Sequence, residues 1–251
     1  MDLCAAGRTT SGGTCTMERT LVIGATSGTG THVVNALLEQ GRVVRVLARN
    51  GPKARALFGD RVELMVADLT RPDATFRAAF QDVGDVVFTA AVPPRPAGEA
   101  LIKAVDHDGL VAALEAARSA RITGRFLYMN TMGKEHRTPP MRVLNLIKRG
   151  ISRWRIAAEQ AIRSSGLPYV IVRASMLTNK PAGRSPLSIT PGDAPLRFSM
   201  KVARADVARV FAYAVADKGL RKVELSVTSG AGTGDIATQL AACQQPVQAK
   251  V

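Results

Sequence analysis

The feature that most constrains this chain is a short apolar run that ends in a glycine-rich turn and passes directly into a helix. Thr20-Leu21-Val22-Ile23 reads as a buried strand. The turn Gly24-Ala25-Thr26-Ser27-Gly28-Thr29-Gly30 follows, and residues 32–40 carry apolar side chains at helical spacing until Gly41 stops them. Glycines in such a turn let backbone amides approach a pyrophosphate, and the helix behind it offers unpaired N–H groups and a positive dipole end to the same phosphates. A triple-glycine motif alone is weak. On the first strand-helix turn of an alternating chain it is a dinucleotide fingerprint. The candidate cradle is Gly24, Thr26, Ser27, Gly28, Thr29 and Gly30.

The rest of the chain keeps that alternation. Strands are expected over residues 43–48, 62–67, 85–90, 125–129, 169–173 and 222–227, with long helices over about 98–120 and 141–164. Parallel strands need crossover helices, so the pattern predicts an α/β fold with a doubly wound parallel sheet. Residues 178–197 hold Pro181, Pro186, Pro191 and Pro195, which predicts a loop. Long loops in compact domains are often lids. The expectation is one Rossmann domain over residues 18–251 with a small C-terminal substrate-covering region near 178–197.

Composition limits the alternatives. The first residues are rich in Gly, Thr and Ser without any period, and 1–17 is expected to be a disordered extension, with Met17 as a candidate natural start. No apolar run reaches the ~20 residues of a membrane span. Cys4, Cys15 and Cys243 suit neither a disulfide framework nor a zinc site, so a cytoplasmic setting and no metal are expected. The net charge is +14, but 25 of the 34 basic residues are Arg and they are scattered, with no aromatic-interleaved stripe. That favours phosphate-bearing small molecules over nucleic acid. A homodimer is the default assembly.

Two positions refine the ligand. NAD-preferring sites place Asp or Glu at the end of the second strand to accept from the ribose 2′-hydroxyl. Here the strand ends Ala48-Arg49-Asn50, with Arg45 and Lys53 nearby and no acid. Arg49 can pair with a 2′-phosphate, or it is a solvated strand-end charge. The first alternative favours NADP(H) over NAD(H). Asp68, followed by Leu69, either meets an adenine amino group or shapes a turn. Ala90 and Ala91 are small enough to lie against a cofactor.

On these residues the chain resembles the atypical short-chain dehydrogenase/reductase family. The resemblance rests on GATSGTG at 24–30, VLAR at 46–49, ADL at 67–69 and Val105-Asp106-x-x-Gly109. It continues with SGLPYVIVRASML at 165–177 and RADVARVFAYAV at 204–215. It implies a Rossmann fold, cofactor selection by Arg49 and its neighbours, and Ala90–Ala91 along the cofactor. It also implies that segment 178–197 helps cover a small-molecule substrate. Ser27 replaces the family's middle glycine.

The chain departs from the family where proton transfer is performed. The usual Tyr-x-x-x-Lys pair aligns with Ile151 and Arg155, and the usual upstream serine with Asn130-Thr131. Arginine cannot release a proton near neutral pH. Relatives without the pair, the flavin/biliverdin reductase-like and triphenylmethane reductase-like branches, still reduce conjugated acceptors. Others bind NADP(H) as sensors or assembly factors. The resemblance therefore implies either an NADPH-dependent reductase of a small conjugated or quinone-like acceptor or a non-catalytic NADP(H)-responsive protein. Asn130 or Thr131 could bond an acceptor carbonyl. Arg155 could hold a ribose or a carboxylate, or pair with Glu159 one helical turn away. Apolar positions Leu144, Ile147, Ile151, Trp154, Ala158 and Ala161 form a stripe that suits a core-facing helix better than a membrane-surface one.

Overall fold

The computed structural model describes residues 18–92, 97–136, 138–147, 150–230, 232 and 234–244. The expected extension 1–17 lies outside these residues.

Seven strands form the parallel part of one sheet: β1 (Arg19–Ile23), β2 (Val44–Ala48), β3 (Glu63–Val66), β4 (Val83–Phe88), β5 (Phe126–Thr131), β6 (Tyr169–Ala174) and, late in the chain, β10 (Val223–Ser229). An eighth strand, β8 (Leu187–Pro191), adds antiparallel to β10, giving the order β3-β2-β1-β4-β5-β6-β10-β8. The strand order reverses between β1 and β4, and ligands of such sheets bind at the carboxyl ends beside that point. Two short strands, β7 (Met176–Thr178) and β9 (Lys201–Ala203), pair separately.

Helices cover both faces because the parallel strands are apolar on both. On one face, Val22, Val46, Val87, Leu127 and Val172 pack against α1 (Thr29–Glu39), α2 (Gly51–Phe58), α8 (Arg204–Ala216) and α9 (Ile236–Ala242). On the other, Leu21, Val86, Phe88, Phe126 and Ile171 meet α3 (Ala74–Ala78), α5 (Gly109–Ser119) and α7 (Ile151–Ser164). Each fully buried Val, Leu, Ile or Phe contributes about 1.5–3 kcal/mol. Below the sheet, buried Arg125 donates to both Asp85 carboxylate oxygens (3.1 Å each) and to the carbonyls of Val215, Asp217 and Leu220. It ties β4 and β5 to the end of α8.

The expected 98–120 helix runs unbroken as α4 (Glu99–Lys103), a π-helical stretch at Ala104–Asp108 and α5. Two other expectations need correction. The 141–164 helix divides into α6 (Pro139–Ile147) and α7, which starts after Gly150 in the left-handed region (φ 78°). On α7 the stripe faces inward, with Ile151 and Ala158 buried and Trp154 and Ala161 partly buried against the core; Ile162, outside the stripe, is buried too. On α6, however, Ile147 is exposed, as are Val143 and Leu146. The proline-rich segment 178–197 is only partly loop, since it contains β8. Pro186 precedes that strand and Pro191 ends it at the sheet edge, where a missing N–H costs no ladder bond. No helix among the described residues is long and apolar enough to cross a membrane.

Candidate functional site

The glycine turn joins β1 to α1 at the reversal point. Gly24 (φ 86°) and Gly28 (φ 56°) have backbone conformations that favour glycine. Packing adds a second constraint at two positions. A Cβ on Gly24 would stand 2.4 Å from the Ala90 nitrogen, and one on Gly30 would stand 2.2 Å from the Gly24 carbonyl oxygen and 2.6 Å from Thr89 Oγ1. At Gly28 the space is open, with only Arg204 Nε at 3.7 Å. Thr31 Oγ1 donates to the Ala25 carbonyl (2.8 Å) and holds the turn closed.

This turn fits the pyrophosphate of a dinucleotide. Gly28 caps α1 without a side-chain hydrogen bond, and the first helical turn contains no acid. The unpaired N–H groups and the dipole are therefore left for an anion. Thr29 adds a buried hydroxyl with no hydrogen-bond partner among the described residues.

The carboxyl ends of β2, β3 and β4 bring the other candidate residues alongside. Arg49 is exposed just past β2, and Asn50 caps α2 by accepting from Lys53 N (2.9 Å). Arg45 is not part of this cluster: it pairs with Glu63 at 2.8 Å and donates to the Ala79 and Gln81 carbonyls. Asp68 Oδ1 accepts from both the N–H and the hydroxyl of Thr70 (2.8 Å each), so the turn role is real. Its carboxyl is held below the usual range by the Thr70 N–H above all, against burial, with help from the Thr70 hydroxyl, Arg49 and Arg71. Leu69 packs inward: a Cβ on Gly109 would lie 2.5 Å from Leu69 Cγ. Ala90 and Ala91 follow β4, Ala90 against Gly24.

At the end of β5 the polar residues are more constrained. Asn130 Oδ1 accepts from Thr131 N (2.8 Å) and its Nδ2 donates to Glu159 Oε1 (2.7 Å), so both ends of this buried amide are engaged. Arg155, on α7, donates from Nε to Asp106 Oδ1 (3.0 Å) and from Nη1 to Thr131 Oγ1. Its expected partner Glu159 is taken instead by Asn130, Lys134 (2.9 Å), Arg163 (3.1 Å) and Arg173 (2.7 Å). Ile151, aligned with the missing tyrosine, is buried beside Val92 and Ile102.

Sequence reasoning missed Asp106 as the partner of Arg155. It lies in the π-helical stretch, which carries its carboxylate to Arg155 and to the Val92 N–H (3.1 Å). The motif Val105-Asp106-x-x-Gly109 was the available signal. The buried group of Lys134, Glu159, Arg173 and Asp193 was also missed. Among the described residues no cluster of His, Cys, Asp or Glu could hold a metal.

Comparison with known proteins agrees with this geometry. Residues 24–218 match a family model described as NAD(P)H-binding. The photosystem II assembly factor Ycf39 of Trieres chinensis is 31% identical over 153 residues, 61% of this chain and 44% of that protein, so the chain spans less than half of that relative. ChuY, an anaerobilin reductase of Escherichia coli O157:H7, superimposes with a TM-score of 0.70 at 19% identity, covering 86% of this chain and 100% of that one. A short-chain dehydrogenase/reductase from Veillonella parvula, solved in complex with NADP, superimposes at 0.68 with 15% identity, over 87% of this chain and 97% of that one. The fold of this chain, with its glycine turn at the reversal point of a parallel sheet, is thus the fold of those structures, and the chain belongs to the NAD(P)H-binding family.

Proposed function

We propose that this chain is an NADP(H)-dependent reductase of a small conjugated or quinone-like acceptor. The observation that carries the reading is the bond from Arg155 to the Thr131 oxygen. Because that oxygen accepts from Arg155, the hydroxyl proton of Thr131 is left to donate to an acceptor carbonyl at the end of β5. Asp106 fixes Arg155 from behind. A preorganised donor of this kind stabilises negative charge as it develops on the acceptor.

Bound NADPH supplies the hydride equivalent, which is the cofactor's own chemistry. The chain's residues bind and orient. The glycine turn and α1 hold the pyrophosphate, Arg49 meets the 2′-phosphate, and Ala90 and Ala91 leave room for the cofactor. With isoleucine and arginine in place of the acid-base pair, the proton comes from water, which suits an electron-poor acceptor.

Steady-state NADPH oxidation against a panel of quinones, flavins and enones tests this. Thr131→Val is expected to lower kcat roughly a hundredfold while leaving NADPH affinity unchanged. Tight NADPH binding with no turnover on any acceptor would favour the second reading, a non-catalytic NADP(H)-responsive assembly or sensor protein. Two observations support that alternative: the assembly-factor name of the Ycf39 relative, and the engagement of Asn130 by Glu159.

A further inference from the structure

We propose that a basic pocket between residues 178–185 and β9 binds an anionic group, a carboxylate or phosphate, carried by the acceptor. This rests on the reductase reading above and narrows its substrate class. The concavity has a volume of about 150 Å³ and is lined by Lys180, Arg184 and Lys201, with the hydroxyls of Thr178, Ser185 and Ser199 among them.

The charges in this pocket are uncompensated. Among the described residues, none of the three cationic side chains forms an ion pair or a hydrogen bond. Other exposed cations, such as Arg118, Arg121 and Lys222, also lack an ion pair among the described residues; what distinguishes these three is that they line one concavity. The one acid in the lining, Asp206, is 3% exposed, and its Oδ1 is taken by Gly183 N (2.9 Å) and Arg209 (3.3 Å). Like charges gathered around one concavity repel, and an oxyanion removes that repulsion while accepting hydrogen bonds.

The walls are held in place. β7 and β9 pair Met176 with Lys201 and Thr178 with Ala203, which sets Thr178 and Lys201 on adjacent strands. Asp206 pins the turn at Gly183, where φ is 73°. The pocket also adjoins the cofactor turn. Asn179, between the lining residues Thr178 and Lys180, accepts from Arg204 Nη1 at 2.6 Å, and Arg204 Nε lies 3.7 Å from where a Gly28 Cβ would stand. A volume of this size suits an oxyanion better than a fused ring system, so the conjugated part of the acceptor extends from the pocket towards the cofactor.

The test is calorimetric titration of the full chain, saturated with NADPH, with naphthalene-2-carboxylate, 2-naphthyl phosphate and neutral 2-naphthol. At least one anion is expected to bind roughly tenfold tighter than the neutral ring, the fold-change of one charge-assisted hydrogen bond. The anion that gains more separates carboxylate from phosphate as the source. Lys201→Glu and the double variant Lys180→Glu/Arg184→Glu should abolish that preference and leave NADPH affinity unchanged. Lys201→Gln, with melting curves for all variants, guards against misfolding. Equal binding of charged and neutral rings, or a preference that survives charge reversal, overturns the proposal. A parallel loss of NADPH binding also overturns it, by assigning the cations to the cofactor. Anion binding without turnover of any acceptor would sink the reductase reading and leave an anion site.

Discussion

Arg155 and Asp106 form an ion pair of 3.0 Å between α7 and a π-helical stretch, and the same guanidinium holds Thr131. Their side chains are 14% and 2% exposed, so removing either partner strands a charge with little access to water. Arg155→Met and Asp106→Asn should each cost about 3–5 kcal/mol. The double variant should cost clearly less than the sum, since neither charge is then left alone. Urea unfolding of the four proteins measures both effects.

The glycines of the turn separate by cause. Gly30→Ala places a methyl group 2.2 Å from a backbone oxygen, so the turn must open and NADPH binding should be lost. Gly28→Ala meets nothing closer than 3.7 Å and costs only the strain of a positive-φ backbone (φ 56°, ψ −133°) that side chains rarely adopt, about 1–3 kcal/mol. It should retain cofactor binding at higher concentration. Fluorescence titration with NADPH distinguishes the two, and equal loss in both would contradict the packing argument.

Acid should weaken the link between α7, β6 and β10. Burial pushes the Glu224 carboxyl up, but hydrogen bonds and charge from Arg163 and Arg173 outweigh it and hold the carboxyl at about 2, below its ordinary 4.5. A depressed folded-state pKa gives stability that is complete above the ordinary value and is lost as pH falls from there towards the folded value. Unfolding midpoints at about pH 6 and about pH 3 should therefore fall further for the natural chain than for Glu224→Gln. A variant with the same acid sensitivity would remove Glu224 from that role.

What the sequence made legible was local. β1, the glycine turn and α1 are contiguous, and each signals its neighbour, so their order and the parallel sheet could be read directly. β8 was hidden because Pro186 and Pro191 resemble loop punctuation, and only its place at the sheet edge makes them compatible with a strand. Gly150 divides α6 from α7 through a backbone angle that a hydrophobic pattern does not register. The pairing of Arg155 with Asp106 joins residues 49 positions apart, so the nearer Glu159 looked like the natural partner. Glu159 was unavailable because β5 and β6 set Asn130 and Arg173 side by side beneath it.

We propose that the glycine turn and Arg49 together select a 2′-phosphorylated dinucleotide. Equilibrium titration of the natural chain and Arg49→Glu with NADPH and NADH tests it most directly. The natural chain should bind NADPH roughly tenfold or more tighter than NADH, and Arg49→Glu should reverse that order. Equal affinity of the natural chain for both cofactors, or a preference unchanged in Arg49→Glu, would contradict the account.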